Sequence, residues 1–569
     1  MAFKTKLNRY LQDRHRGMIL ALLLAVALVY MPYINNPLFF DDLPFFSGTV
    51  NQFVSDPWHL YSRWLPHMSL AWTFTLFSDT PLPLHLGNLL LHFANTVLVF
   101  VLLQQLYSLA LNNHHQTTDQ IKNQKTTLPT FFSSTHFFTA PSNWGAWLGA
   151  LAFACHPVAV YAVGYVVERT IVMATFFTLA MQLAYISGLV GSTKLQQTIW
   201  LALSVLFYFC AGFSKEHSLM APALLAAITL LIKPYINVNW RILTATWLGL
   251  ISVAIFIALR SRGIAATVEH DATALFVQHG IVNATANVHV LSIVTQAGLF
   301  FKYLFLWLVP NPAWMSIDMR EPFTSTVGAW QTWLKLGCFM AYGAIALKLL
   351  LKRGKIGLLG FALFYPWLLF FIEFSSVRVQ EPFVLYRSYL WAPGLLLLMP
   401  LALDYLPKHK TMIAVLTVMI LAMIPLAWNR LWVFADGYRL WNDAAILLKN
   451  DTEPGAARIF YNRGNAELNA KKPKEAIADF KRVLAIDPNI EQAHANLGSA
   501  YLNNGQYALG LASVNRAIAI NPENGQTYFA KAFALKHLNN QTEATETLNK
   551  SCELKNVSAC LILTMSGKK

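Results

Sequence analysis

The stretch Met18–Ile34 is a continuous apolar run, and within a few residues it leads into Phe39-Phe40-Asp41-Asp42-Leu43-Pro44. A run of this length can cross the hydrocarbon core of a bilayer as a helix. Two adjacent carboxylates at the mouth of such a helix cost free energy to desolvate, and they are rarely placed there without a partner or a task. The stretch therefore predicts a membrane helix followed by a functional loop, around which the other polar clusters are expected to gather.

The composition excludes a soluble globular protein, because 56% of the 569 residues are hydrophobic and only 12% are charged. Repeated apolar runs of about 15–25 residues are typical of a helical protein with many membrane spans. The formal net charge is +15, but the basic residues lie mostly in short loops between these runs, where they indicate topology rather than nucleic-acid binding. The sequence shows no P-loop, dinucleotide fingerprint or cysteine–histidine zinc spacing, so nucleotide chemistry is not indicated either.

Eleven membrane spans are predicted from the apolar runs. They are Met18–Ile34, Leu84–Leu109, Trp144–Val163, Ile171–Val190, Thr198–Phe213, Ser218–Ile232, Ile242–Leu259, Trp333–Leu351, Ile356–Ile372, Val384–Leu403 and Met412–Trp428. The segment Leu291–Pro310 is also apolar, but it carries Lys302, and we interpret it as an interfacial or re-entrant helix.

The basic loops set the orientation, with the N-terminus in the cytoplasm. Sixteen basic residues then lie inside, against eight in the opposite loops: Lys4, Lys6, Arg9, Arg14, Arg16, Lys122, Lys125, Lys194, Lys233, Arg241, Lys348, Lys352, Arg353, Lys355, Lys408 and Lys410. Because eleven is odd, the C-terminal region is expected outside the cytoplasm. This predicts a multi-pass protein of the inner (cytoplasmic) membrane with a periplasmic C-terminal domain, where Cys552 and Cys560 are the plausible disulfide pair.

The C-terminal region repeats with a period of 34 residues. Gly464 and Gly498 are separated by this interval, as are Pro488 and Pro522. A helix–turn–helix period of 34 residues with small residues in register is the tetratricopeptide signature. The predicted repeats are Ala456–Asn489, Ile490–Glu523 and a degenerate Asn524–Val557 that would cap the array.

The predicted fold class is therefore all-α, a polytopic helical membrane protein followed by a tetratricopeptide-repeat α-solenoid. The predicted domains are a transmembrane domain at 1–430, an aromatic-rich linker at 431–455, repeats at 456–557 and a tail at 558–569. A membrane-anchored scaffold without catalysis fits the same architecture, although it would leave Asp41 and Asp42 unexplained.

With this topology, the ionisable and polar clusters of several loops fall on the outer side of the membrane, where they can form one crevice. The candidate residues are Asp41, Asp42, His85, His156, Glu168, Arg169, Lys215, Glu216, His217, Asp318, Arg387 and Tyr389. A guanidinium such as that of Arg387 suits phosphate recognition, although an anchor at the membrane surface is an equal alternative. Asn88 and His92 more simply tie helices together by hydrogen bonds.

Several stretches resemble a known family. The aspartate pair in Phe40-Asp41-Asp42 is typical of the GT-C superfamily of polyprenyl-phosphate-dependent glycosyltransferases. Four further stretches resemble the transmembrane and tetratricopeptide-repeat (TMTC-type) O-mannosyltransferases and their bacterial relatives: His85-Leu86-Gly87-Asn88-Leu89-Leu90-Leu91-His92, His156-Pro157 with Val166-Val167-Glu168-Arg169, Ser214-Lys215-Glu216, and Pro312 through Asp318. The domain order matches as well.

This resemblance implies inverting transfer of a sugar from a polyprenyl-phosphate donor to a protein hydroxyl, for example on a pilin or another exported protein. Asp41 or Asp42 would be the catalytic base, since a hydroxyl is a poor nucleophile until a carboxylate accepts its proton. Arg387, then Arg169 and Lys215, would bind the donor phosphate. A divalent metal, if the reaction uses one, would bind Asp41 or Asp42. The expected partners are the lipid-linked donor, membrane lipid and an acceptor protein captured by the repeats; sugar transfer to a lipid or glycan, or en bloc oligosaccharide transfer, is the alternative.

Overall fold

A computed structural model describes residues 2–112, 142–233, 236, 238–261, 268–269, 284–405, 409–451 and 453–565. Lys122, Lys125 and Lys408, which enter the orientation count, lie outside the described residues, as do 566–569 of the predicted tail. The chain forms two compact units. The first comprises 1–315 and 323–435, and the second comprises 316–322 and 436–569.

The regular secondary structure in the described part of the first unit is helical, apart from a single β-bridge between Val268 and Val377. Its α-helices are Ala2–Tyr30, Asp42–Pro44, Val50–Ser55, Trp64–Phe77, Pro81–Asn112, Ser142–Cys155, Val160–Val163, Arg169–Leu189, Lys194–Gly212, Ala221–Ile232, Trp240–Arg260, Ala284–Leu308, Trp330–Leu351, Gly354–Phe370, Ala392–Leu395, Leu398–Tyr405, His409–Leu421 and Met423–Val433. Short 3-10 turns join several of them, including Glu216–Met220, Phe371–Ser375 and Leu385–Leu390.

Within the described ranges, nine helical segments are long and apolar enough to cross a membrane, or ten if a bent pair counts as one span. Eight of the nine coincide with predicted spans. The predicted spans Ser218–Ile232 and Val384–Leu403 correspond instead to the shorter apolar helices Glu216–Ile232 and Ala392–Tyr405. The count of eleven is therefore not established by helix length and composition.

The bent pair comprises Trp144–Cys155 and Pro157–Val163, which meet at 48°. Pro157 has no backbone N–H and a fixed φ, so the helix cannot continue unbroken through it. His156 caps the new turn, because its Nδ1 accepts a hydrogen bond of 3.2 Å from the Val158 amide. The break places residues 164–168 beside the aspartate loop.

The ninth long segment, Val288–Leu308, is the one whose sequence predicts an interfacial or re-entrant helix. Hydrogen bonds hold the chain before and after this segment. Before it, the Glu269 amide donates to Val377 O at 3.1 Å; after it, Arg430 Nη1 donates to Met315 O at 2.5 Å. The chain near Arg430 borders the aspartate loop, since Leu431 O accepts from Asn36 Nδ2. The segment is part of one continuous helix of 25 residues, which is long enough to cross a bilayer, so the structure makes it a candidate span rather than a re-entrant helix.

The second unit is built from helix pairs. After the helix Gly437–Leu447 it contains Ala456–Asn469, Pro473–Ile486, Glu491–Asn503, Tyr507–Ile520, Gly525–His537, Gln541–Glu553 and Val557–Met565. Part of the predicted linker is therefore helical.

Small residues let the paired repeat helices approach closely. A Cβ at Gly498 would lie 2.5 Å from Val514 Cγ2, and one at Gly510 would lie 2.6 Å from Leu502 Cδ2. This is the packing that the 34-residue register predicts. Cys552 and Cys560 form a disulfide, as expected from the sequence.

Candidate functional site

The aspartate pair lies in a tight loop in which the two side chains have different environments. Phe40 adopts φ 54°, a left-handed conformation that is rare for a bulky residue and is often found at functional sites. Asp41 is exposed, and its amide donates to the hydroxyl of Tyr165 at 2.8 Å. Asp42 is 1% exposed, and its Oδ1 accepts from the Val167 amide at 2.7 Å. The loop thus presents Asp41 outward and holds Asp42 inside.

The carboxyl group of Asp42 has an unusually high pKa for an aspartate. Burial raises the pKa of its carboxyl from 3.8 to about 8, against the lowering effect of the hydrogen bond from Val167. Its Oδ2 is buried and has no hydrogen-bond partner among the described residues. Near pH 7 the side chain is therefore mainly the neutral acid, and Asp41 is the carboxylate that a substrate can reach.

Tyr165 connects the loop to a second group of polar residues. Its ring stacks on Phe39 at 5.9 Å and meets Tyr386 edge-on at 6.4 Å. Tyr386 lies under the ammonium of Lys215, which is 4.5 Å from the ring centroid. Lys215 Nζ in turn lies 2.5 Å from Glu168 Oε2. Burial lowers the pKa of Lys215 although Glu168 favours its charged form.

Beyond Lys215, a row of buried ion pairs crosses the same face. Arg63 binds Glu216 with two hydrogen bonds, of 3.1 and 2.7 Å. His217 follows, with Nδ1 3.6 Å from Glu216 Oε1 and Nε2 3.0 Å from Glu373 Oε1. Glu373 completes the row through a 2.7 Å contact between its Oε2 and Arg387 Nη1. We call the residues Arg63, Glu168, Lys215, Glu216, His217, Glu373 and Arg387 the charged row.

Arg378 lies beside the charged row and differs from its other cations. The Arg387 guanidinium, together with burial, lowers the pKa of Arg378. Glu373, Tyr386 and Glu216 also act on it. No residue that the structure describes gives Arg378 a hydrogen bond or an ion pair within 4.0 Å. It is half-buried, so a cation is held there without a carboxylate of its own among the described residues.

Arg169 is also a phosphate-binding candidate from the sequence, but its side chain lies among packed helices and not in the charged row. Its Nε donates to Asn88 Oδ1 at 2.8 Å and its Nη2 to Leu84 O at 2.7 Å. A Cβ at Gly87 would lie 2.5 Å from that Nη2, so the glycine is needed for the approach. Asn88 also donates to the carbonyl oxygens of Val163, Tyr165 and Val166. These contacts favour a role for Arg169 in holding helices together, since its donors are already used.

Three other candidates lie within the helical packing. His85 Nε2 is 3.0 Å from Asn36 O, beside a small cavity lined by Tyr30, Tyr33 and Leu431. His156 stacks on Trp307 at 4.2 Å, with its Nε2 3.2 Å from Trp307 O. Tyr389 shares its hydroxyl with His92 Nδ1 at 2.8 Å and Asn95 Nδ2 at 3.2 Å. None of these contacts reaches the charged row.

Asp318, a further candidate, belongs to the second unit. Its Oδ2 accepts from Arg320 Nη2 and from Arg458 Nη2, both at 2.7 Å. Arg320 also donates to Pro454 O. Asp318 thus fixes the segment 316–322 to the first repeat, a role that a loop position in the sequence did not indicate.

The structure offers little for a metal ion. Across the described ranges, no group of three or more His, Cys, Asp or Glu side chains is placed so that it could hold a metal ion. Asp41 and Asp42 point into different environments, and the buried Asp42 is mainly neutral near pH 7. We therefore derive no step through a metal.

Five residues of this face are absent from the sequence-based candidates: Arg63, Tyr165, Glu373, Arg378 and Tyr386. The last three belong to the polar segment Glu373 through Arg387, whose sequence alone does not show which side chains share a site. Arg63 is an isolated basic residue in the sequence, and only the structure shows its ion pair with Glu216 and its φ of 58° before the helix Trp64–Phe77.

Comparisons with known proteins concern the second unit. Tetratricopeptide-repeat family models match residues 457–490 and 491–524, which correspond to the first two predicted repeats. No curated protein matches the chain. A solved structure of the first tetratricopeptide repeat domain of Spaghetti (RPAP3), bound to an HSP90 peptide, is 25% identical over 19% of this chain and 90% of its own, with a TM-score of 0.19. A crystal structure of MamA is 20% identical over 24% of this chain and 78% of its own, with a TM-score of 0.20.

Proposed function

We propose that this protein is a membrane glycosyltransferase that moves a sugar from a polyprenyl-phosphate donor to a protein serine or threonine. One observation carries the proposal. The backbone amide of Asp41, whose carboxylate is exposed, donates to Tyr165, and Tyr165 meets Tyr386, which lies under Lys215 of the charged row. A carboxylate next to a cationic region suits a reaction in which one end takes up a proton and the other stabilises a departing phosphate.

In the proposed reaction Asp41 accepts the proton of the acceptor hydroxyl. The hydroxyl oxygen forms a bond to C1 of the sugar from the side opposite the leaving group. The bond between C1 and the phosphate oxygen breaks, and its electron pair stays on the phosphate. Arg387 stabilises the growing negative charge. Asp42 acts as a positioning residue, since its hydrogen bond with Val167 fixes the loop that presents Asp41.

The proposal requires the first unit to lie in a membrane. Nine apolar helices in the described ranges support this, and so do many large hydrophobic residues with exposed side chains, such as Leu24, Leu248 and Val418. The disulfide between Cys552 and Cys560 supports a second unit outside the reducing cytoplasm. We propose a multi-pass protein of the inner membrane with a cytoplasmic N-terminus, a periplasmic aspartate loop and periplasmic repeats.

This topology makes a prediction for reporter fusions. A phosphatase reporter fused after Lys569 should be active, because it folds only outside the cytoplasm. The same reporter fused after Lys352 should be inactive, because Lys352 and Arg353 belong to a basic loop expected inside. An inactive C-terminal fusion would contradict the odd number of spans and the shared outer face.

The repeats are proposed to capture the acceptor protein. Stacked helix pairs present an extended surface that fits a polypeptide partner. Asn496 Nδ2 donates to Asn465 Oδ1 at 2.7 Å and to Tyr461 Oη at 3.1 Å. These three half-buried side chains lie on the first helices of adjacent repeats and offer amide and hydroxyl groups to a peptide backbone.

We expect the combined change Tyr461→Ala and Asn496→Ala to raise KM for the native acceptor by about tenfold or more, since about two hydrogen bonds are lost. Transfer to a short free peptide should not change. Asn469→Ala, at an exposed repeat position, is the matched control. Equal KM values in all three proteins would place acceptor capture elsewhere.

The proposed function is tested with membranes from cells that overproduce the full chain, which contain the endogenous lipid-linked sugars. Exported proteins from a strain lacking the gene serve as unmodified acceptors. The proposal predicts new sugar on serine or threonine, detected by mass spectrometry. It fails if these membranes transfer no more sugar than membranes without the protein, or if the sugar appears only on lipid or glycan.

A further inference from the structure

The backbone around Arg378 is held firmly. The amides of Val379 and Gln380 both donate to Glu269 Oε2, at 2.7 and 3.0 Å. On the other side, Ser376 O accepts from Ser292 Oγ at 3.2 Å. Val377 and Val379 are buried in one apolar cluster with Leu291.

Val377 forms the bridge with Val268, and both Val377 and Val379 enter that cluster, which places the side chain between them away from it. The electrostatic effects of Arg387, Glu373 and Glu216 on Arg378 agree with a side chain directed toward the charged row. Arg378 is therefore a pre-positioned cation rather than a solvated loop residue.

A second observation points to the same place. Arg387 is 1% exposed, and only its Nη1 is used, by Glu373. Its Nε and Nη2 are buried and have no hydrogen-bond partner in the described part of the chain. Buried donors are normally satisfied, so two open donors on one guanidinium indicate a missing acceptor.

The charges agree. Arg63, Lys215, Arg387 and Arg378 contribute four positive charges, whereas Glu168, Glu216 and Glu373 contribute three negative ones. Each carboxylate is bound to one of the first three cations. Among these arginine, lysine and glutamate side chains Arg378 supplies the excess, and a half-buried cation without a carboxylate partner favours binding of an anion.

We infer that Arg378 and the open edge of Arg387 together bind the phosphate of an anionic ester, with Arg378 the cation dedicated to this ligand. The inference rests on the proposed function in assigning that ester to the lipid-linked donor. A phosphodiester brings one negative charge, which matches the excess. When the bond to the sugar breaks, the leaving lipid phosphate gains a second charge, and two guanidinium groups can share it.

The test measures binding of undecaprenyl monophosphate to the full-length protein in lipid nanodiscs, with inorganic phosphate as a separate probe. Arg378→Gln should weaken binding of the lipid phosphate by about 10- to 100-fold. Arg378→Lys should recover part of the loss, because it restores charge without the planar fork. Arg482→Gln, which removes an exposed ion pair in the second unit, should bind like the original protein.

Thermal stability separates binding from misfolding. Arg378→Gln removes no partner from any described carboxylate and relieves repulsion with Arg387, so the melting temperature without ligand should not fall. Undecaprenyl monophosphate should raise the melting temperature of the original protein and not that of the variant. Unchanged affinity in Arg378→Gln would overturn the inference.

The two phosphate sources give different results. If inorganic phosphate binds as tightly as the lipid and shows the same loss, the donor assignment is overturned. If the lipid phosphate binds through Arg378 but the membranes transfer no sugar, the site stands and the proposed function fails. If sugar transfer occurs and Arg378→Gln leaves it unchanged, the function stands and this inference fails.

Discussion

Asp41→Asn is expected to lower the rate of sugar transfer by about 10²- to 10⁴-fold, the usual contribution of a general base. Asparagine keeps the shape of the side chain but cannot accept the proton of the acceptor hydroxyl. Because Asp41 is exposed and its loop is fixed through its backbone amide, the substitution should leave the amount of folded protein unchanged. The measurement is the initial rate with saturating acceptor, normalised to protein quantity.

Asp42→Asn is the matched control, and its expected behaviour follows from its environment. Asparagine can still accept from the Val167 amide and resembles the neutral acid that a pKa of about 8 implies near pH 7. We expect most of the activity to remain at pH 7. If instead Asp42→Asn abolishes transfer while Asp41→Asn does not, the base is Asp42. Near-normal rates in both single variants and in the double variant would contradict a catalytic aspartate pair.

The same pKa predicts a pH dependence of stability. The folded-state pKa of Asp42 lies above its ordinary value of 3.8, so folding favours the protonated form. The stabilisation from protonated Asp42 is fully present below about pH 4, and it is lost as the pH rises through about 8. Asp42→Asn should flatten that part of the melting-temperature profile.

Arg387→Gln is expected to destabilise the first unit by about 3–5 kcal/mol, as measured for buried ion pairs that lose one partner. Glu373 is 4% exposed and would lose the ion pair on its Oε2 side while keeping the contact of its Oε1 with His217. The double variant Arg387→Gln with Glu373→Gln removes both charges and should recover most of the melting temperature. It should not recover use of the donor, because the guanidinium is still absent.

Two results would contradict this role of Arg387. A melting temperature equal to that of the original protein in the single variant would show that the pair is not energetically important. Full activity in the double variant would show that Arg387 does not bind the donor, and would favour the alternative that it is an anchor at the membrane surface.

Some of this architecture could be predicted from the sequence for physical reasons. The repeats are visible because close helix packing requires small residues at fixed spacing, and Gly464 and Gly498 preserve that register. The long spans are visible because a helix needs about 20 apolar residues to cross a bilayer, and water-soluble folds rarely contain such a run. The aspartate loop is conspicuous because charge is costly at a membrane helix end.

The rest of the candidate site could not be predicted from the sequence, because it depends on which side chains contact each other in the folded protein. Arg169 and Arg387 look equivalent in sequence, yet one has its donors taken by helix packing and the other keeps two open. Asp318 resembles the other loop acids but binds within the second unit. Arg378 is distinguished only by the absence of a partner among the described residues, which no local pattern encodes.

The central claim, that the face bearing Asp41 transfers sugar to protein, is tested most directly by comparing glycopeptides of exported proteins. Four strains are needed: the parent, a deletion strain, and the deletion complemented with either the original gene or Asp41→Asn. The account predicts serine- or threonine-linked sugar in the parent and the first complemented strain, and its loss in the deletion and Asp41→Asn strains at equal protein levels. Identical glycopeptides in all four strains would contradict it.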